Sequence, residues 1–307
     1  MLQNSDLIQE FAQFLQLEKS LSPNSIEAYR HDVNKLAEFI ALHDENLSLQ
    51  NCDANALRSF IYWLNSYGIA GTSQARILSG LRSFYEFLQR ENYIERNPTE
   101  HIDLPRLTRH IPEVLSIAEI DRMIQSIDYT KTEGQRNRAI IETLYSCGLR
   151  VSELVDLRIS NLLFEYGYIR VVGKGNKERL IPVNDKAMLE IQGYFEHTRN
   201  HQTIQKGSED IVFVNRRGKK LTRVMIFLII KQTAAQAGVT KTISPHTFRH
   251  SFATHLVDGG ANLRAVQDML GHESITTTEI YTHINKQHLH DTIMKFHPRA
   301  TSEGKGA

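Results

Sequence analysis

The stretch SPHTFRHSFATHL, residues 244–256, sets an imidazole, His246, and a guanidinium, Arg249, three positions apart at the start of a predicted helix. Ser244 is a natural N-cap and Pro245 a natural first helical residue. Residues three apart share a helix face. Helix N-termini carry unpaired N–H groups and the positive end of the dipole, so they favour anions. A protonatable imidazole and a forked guanidinium there could seat a phosphate. The same four letters also read as a capped helix with one polar edge. His246 and His250 have the i, i+4 spacing of a zinc helix, but Thr247 stands where a metalloprotease carries its glutamate base. No carboxylate follows at ligand spacing, and a metal site is set aside.

Four further groups have chemistry to offer. In GLRVSEL, Gly148 is where a helix should stop, Arg150 follows in the turn, and Glu153 lies three residues on, within reach of its guanidinium. An ordinary surface ion pair, worth about 0–1 kcal/mol, is the plain alternative. GKGNKER, residues 173–179, puts Lys174 at a hairpin tip between glycines, with Lys177 and Arg179 adding charge. It lacks the spacing of a nucleotide phosphate loop. His272 comes just after Gly271, a candidate helix C-cap, and Tyr281 nine residues later. NRRGKKLTR, residues 215–223, is a basic turn with Arg216, Arg217, Lys219 and Arg223. It has the composition of a phosphate-backbone contact, and equally of a solubilising loop.

The elements that must position these groups fall into two parts. Residues 1–96 read as four helices in a bundle, with SPNSIEAYRHDVNKLAEFI carrying one apolar stripe behind Ser22 and Pro23. Residues 97–112 contain Pro98, Pro105 and Pro112, show no periodicity, and read as a basic interdomain linker. Residues 113–307 read as a mixed α+β domain. Its helices fall at about 116–127, 134–147, 185–199, 221–237, 245–258 and 262–270, around a hairpin from Tyr168 to Val183. The whole is mainly α with a small β-sheet.

The totals bound the function. With 41% hydrophobic and 23% charged residues, the 307-residue chain is globular and long enough for two domains. No apolar run could span a bilayer and no secretion signal opens the chain. Two distant cysteines, Cys52 and Cys147, make no disulfide framework, so a cytoplasmic setting is expected. A formal net charge of +1 does not announce a nucleic-acid binder, so such a reading must rest on local clusters.

Each group alone is weak; their order is specific. Arg150, Lys174, His246-x-x-Arg249, His272 and Tyr281, in a C-terminal domain behind a helical one, resemble the tyrosine site-specific recombinases. The wording GLRVSEL, GKGNKER, PHTFRHSFATHL, LGHESITTTEIYTH and HPRA is similar to the Xer subgroup, which resolves chromosome dimers. The resemblance implies a SAM-like core-binding bundle followed by a recombinase catalytic domain. It implies Tyr281 as nucleophile, Arg150, Arg249 and His272 on the phosphate, His246 as base or orienting group, Lys174 as acid and Glu153 as support. Lys177, Arg179, Arg216, Arg217, Lys219 and Arg223 are expected to touch DNA, with no cofactor and no metal. The implied partners are a duplex recombination site, a sister Xer recombinase in a tetrameric synapse and a septal FtsK-like DNA translocase. The apolar face of the last helix, with Leu289, Ile293 and Phe296, would pack on a neighbouring subunit or on its own domain. A mobile-element integrase, a type IB topoisomerase and a non-catalytic DNA-binding module are the rival readings.

Overall fold

The structure, a computed structural model, describes residues 3–44, 46–103, 113–173, 177–271 and 283–300, the side chains of 283–287 excepted. The chain divides into two compact units, Met1–His110 and Ile111–Ala307.

The first unit holds α1 (Asn4–Leu17), α2 (Pro23–His43), α3 (Ala54–Ser66) and α4 (Gly71–Arg90). Ser22 caps α2 by accepting from the Ser25 N–H at 3.3 Å, with Pro23 at the first position, and Asp53 caps α3 through the Ala56 N–H at 2.8 Å. Phe11, Leu36, Phe60, Phe84 and Leu88 meet in the core. One charge is buried among them: Asp32, gripped by Arg76 at 2.7 and 2.6 Å. Gly80 makes the room, since a Cβ there would come within 2.6 Å of the Asp32 carboxylate. Residues 97–103, expected as linker, belong to this unit instead. Thr99 and Ile102 are buried, and Arg82 donates to the Ile102 carbonyl at 2.6 Å. Residues 104–112 of the expected linker lie outside the described residues.

The second unit holds α5 (Ile117–Gln125), α6 (Gly134–Cys147), α7 (Val151–Val155), β1 (Leu162–Leu163), β2 (Tyr168–Val172), β3 (Glu178–Pro182), α8 (Asp185–His197), α9 (Arg223–Gln236), α10 (Pro245–Asp258), α11 (Leu263–Leu270) and α12 (His283–Phe296). α6 is the central helix: Ala139, Ile140, Ile141, Leu144, Tyr145 and Cys147 are all buried, against α8 and α10. The expected hairpin gains a third strand. The order is β1-β2-β3, antiparallel, with Leu162 opposite Ile169 and Val171 opposite Arg179. Ile169, Val171 and Ile181 face the core.

α12 packs on its own chain. Leu289 and Ile293 join Phe252, Leu256, Val266 and Met269 in one buried cluster. Beyond it, Arg299 reaches Asp121 and, at 3.1 Å, Glu142. The ring of His297 lies buried beside Tyr145 and Phe252. Cys52 and Cys147 are both free and buried, one in each unit.

Burial, helped by the Arg299 charge, pushes the His297 imidazole down to about 3 from an ordinary 6.5. The folded protein therefore holds it neutral while the unfolded chain protonates below about 6.5. Its contribution is present above that pH and is lost as pH falls toward 3. We expect the second unit to lose about 1.4 kcal/mol per pH unit from this group below pH 6. Urea midpoints measured from pH 7 to pH 5 should slope accordingly, and His297→Phe should flatten the slope.

Candidate active site

Four chain segments converge at one end of α6. The helix stops at Gly148, whose φ of +57° is left-handed, and the chain turns through Leu149 and Arg150 into α7. Glu153, in the first turn of α7, accepts the Arg150 backbone N–H at 2.9 Å and its Nη1 at 2.9 Å. Arg179 arrives from β3 and clasps the same carboxylate with both terminal nitrogens, at 2.7 and 2.9 Å. Glu153 is only 4% exposed. Burial alone would raise its pKa, but the hydrogen bonds and charges of Arg179 and Arg150 outweigh that and hold it below the usual carboxylate value.

The third guanidinium comes from α10. Ser244 and Thr247 close a capping box at its start, with the Ser244 N–H donating to the Thr247 hydroxyl at 3.1 Å. One turn in, Arg249 points into the protein and donates to the Gly148 carbonyl at 2.8 Å and to the Leu270 carbonyl. Burial, and secondarily the nearby Arg150, push its pKa down to about 10 from 12.5, so it stays charged at neutral pH.

These three arginines share one further feature. Arg179 Nε donates to the carbonyl of Met269 at 2.9 Å, Arg249 to that of Leu270, and Arg150 to that of Gly271 at 3.1 Å. Three guanidiniums thus take three successive carbonyls at the C-terminal end of α11, where the helix dipole is negative. The carbonyls and Glu153 fix each guanidinium from one side. Arg249 has donors to spare, and the Arg150 side chain is 36% exposed. Two fixed guanidiniums so arranged offer paired positive charge of the kind that binds an oxyanion.

His246, predicted on the same face as Arg249, lies exposed on the first turn of α10. Lys174, His272 and Tyr281 lie outside the described residues. Among the described residues, no three His, Cys, Asp or Glu side chains gather as a metal site, and no helix is long and apolar enough to cross a membrane.

The basic turn is a tight one: the Asn215 side chain accepts from the N–H groups of Arg217 and Lys219 at 2.8 and 3.2 Å. Arg217, Lys219, Arg223 and Lys177 are exposed, and Arg216 is exposed but shared with Glu133 at 3.2 Å. Arg179 requires a correction. Expected as a DNA contact, it is 7% exposed with its charge committed to Glu153. The signal was the two-residue period of the strand, which places position 179 on the same side as the core residue Ile181.

Comparison with known proteins gives these residues a context. Residues 113–288 match the family described as Phage integrase family, and residues 8–92 that described as Phage integrase, N-terminal SAM-like domain. Two curated relatives named Tyrosine recombinase XerD, from Oceanobacillus iheyensis and Staphylococcus aureus, are each 40% identical to this chain. The first aligns over 293 residues, 95% of this chain and 98% of its own, and the second over 294, 96% and 99%. The XerH site-specific recombinase bound to palindromic difH substrate matches with a TM-score of 0.70 at 24% identity, over 95% of this chain and 84% of that one. A lambda integrase dimer bound to a COC′ core site matches at 0.68 and 15%, over 90% and 98%. At those identities the solved structures speak for the fold alone, a helical N-terminal domain and an integrase catalytic domain. With both of its units matched and full-length relatives at that identity, the chain belongs to the phage integrase family and is a XerC/XerD-like tyrosine recombinase.

Proposed function

We propose that this chain cuts and rejoins duplex DNA at a chromosomal recombination site through a 3′-phosphotyrosyl link to Tyr281, as a Xer-type resolver of chromosome dimers at cell division. The observation that carries the reading is the paired guanidinium site of Arg150 and Arg249, anchored by carbonyls and Glu153 with donors left over. A phosphodiester under attack passes through a pentacoordinate state with extra negative charge on its nonbridging oxygens, and stabilising that charge is the main task. Arg150 and Arg249 clamp those oxygens and His272 adds a hydrogen bond. With guanidiniums supplying the charge, the step needs no bound metal.

The attacking group is a phenol, with an ordinary pKa near ~10, so it needs help to lose its proton. His246, exposed at the start of α10, takes that proton or orients the phenol. The Tyr281 oxygen forms its bond to phosphorus as the bond to the 5′-oxygen breaks. The leaving oxygen takes a proton from Lys174, its ammonium serving as general acid. The diester energy is kept in the phosphotyrosine, so the reverse attack by a 5′-hydroxyl rejoins DNA without a nucleotide. Lys177, Arg216, Arg217, Lys219 and Arg223 supply backbone affinity that falls with salt. The partners that fit are a sister recombinase in a tetrameric synapse and a septal DNA translocase, in the cytoplasm.

The test is a nicked duplex carrying the candidate chromosomal site, in which the short downstream fragment bearing the freed 5′-hydroxyl leaves after cleavage. In buffer with chelator, the protein should form an SDS-resistant adduct and Tyr281→Phe none. An adduct that persists in Tyr281→Phe reassigns the nucleophile. Relaxation of supercoiled, site-free plasmid without site-specific adducts would make the chain a topoisomerase instead.

A further inference from the structure

We propose that Arg179 is a positioning residue for this reaction: it acts through Glu153 to hold the Arg150 guanidinium against the scissile phosphate. The proposal rests on the functional reading above. Its basis is a connected geometry. Glu153 meets Arg150 through Oε1 alone on the side chain, at 2.9 Å, and that same oxygen accepts from Arg179 Nη1 at 2.7 Å. The second oxygen, Oε2, is held by Arg179 Nη2 at 2.9 Å and by the Arg150 backbone N–H at 2.9 Å. The carboxylate plane is thus set by the bidentate Arg179, a geometry that fixes orientation as well as charge. Arg150 takes its direction from that plane.

Arg179 is itself held in place. Its Nε is tied to the Met269 carbonyl at 2.9 Å. Its stem lies against Gly271, where an added Cβ would sit 3.2 Å from Arg179 Cδ. β3 fixes the Cα through the pairing of Arg179 with Val171. The rigid chain of contacts therefore runs from the sheet, through Arg179 and Glu153, to the half-exposed Arg150. Arg179 never reaches the phosphate: its side chain is 7% exposed and its terminal nitrogens are on the carboxylate. Without it, a buried Glu153 keeps one cation, Arg150, and would draw that guanidinium inward from the phosphate. A misplacement of about 1 Å at a reacting group costs about 10²-fold in rate.

The experiment compares the full chain with Arg179→Met and with Glu153→Gln on the nicked duplex, reading DNA affinity and the single-turnover rate of adduct formation separately. Arg179→Lys keeps a buried cation beside Glu153 but cannot clasp both oxygens and donate to Met269 as well. It serves where Arg179→Met lowers the unfolding midpoint. We expect affinity within about twofold and a rate about 10² lower for Arg179→Met, with Arg179→Lys in between. The same rates are then read on a duplex whose scissile phosphate is a methylphosphonate, which is neutral and needs less from Arg150. There the ratio of wild type to variant should shrink to near one. An equal ratio on both substrates, a joint loss of affinity and rate, or a variant as fast as wild type overturns the positioning role. A wild-type chain that forms no adduct would instead indict the functional reading, so the two failures are distinguishable.

Discussion

Arg249→Lys should leave recognition of the DNA site intact and slow its cleavage by about 10²–10³-fold, the cost of removing a preorganised oxyanion donor. The site allows no simple exchange of one cation for another. Arg249 is 9% exposed, and its two terminal nitrogens already serve the carbonyls of Gly148 and Leu270. The planar fork does this while keeping further N–H groups for a ligand; an ammonium has three donors and no fork. Removing the fork also leaves two buried carbonyls short of donors, so unfolding midpoints should be measured beside the rate. The pH dependence adds a second readout. Burial and the neighbouring Arg150 already push Arg249 down to about 10. An ammonium starts from a lower pKa, ~10.4, and burial lowers it by several units in such sites. The residual rate of Arg249→Lys should therefore fall as pH rises through neutrality, over a range in which the wild-type guanidinium keeps its charge. A variant that loses DNA binding and cleavage to the same extent would mean that Arg249 only supports the fold.

Much of this site could be read from the sequence because its signals are local. Ser22-Pro23 and Ser244-Pro245 mark helix starts through capping chemistry that needs no tertiary context, and both helices begin there. Gly148 ends α6 where a left-handed residue is required. The pairing of Arg150 with Glu153 follows from three-residue spacing at a helix start. What escaped depends on distant partners. β1 is two residues long and exists because β2 offers an edge, so no periodicity marks it. Residues 97–103 look like linker from their proline, yet Ile102 finds a place in the helical core. Arg179 was misread because GKGNKER reads as a basic tip; its inward direction needs the strand register and a buried acceptor 26 residues away. The apolar face of α12 was legible as a face, but not the surface that receives it. Lys174, His272 and Tyr281 stood out only through their order along the chain.

Gly148→Ala should lower the stability of the catalytic unit by about 2–5 kcal/mol, from two separable sources. A left-handed conformation costs a non-glycine residue about 1–2 kcal/mol, and here φ is +57°. The added methyl would also lie 2.5 Å from Cδ1 of Phe252, a fully buried ring on α10, and overpacking of that kind costs about 1–3 kcal/mol. The ring belongs to the buried cluster that receives α12 and abuts Gly148 at the end of α6, so it is packed from both sides. The strain should be relieved by moving α10 away from α6, and α10 carries Arg249 three residues before Phe252. Because the Gly148 carbonyl is the anchor for Arg249 and Arg150 follows two residues later, DNA cleavage should fall further than the unfolded fraction explains. Phe252→Leu tests the division. It opens a cavity in the wild-type background, but in the Gly148→Ala background it removes the clash and leaves the backbone strain. Denaturant unfolding of the four proteins should give a favourable coupling of about 1–2 kcal/mol between the two sites. Strict additivity would mean that the backbone conformation alone makes glycine necessary there.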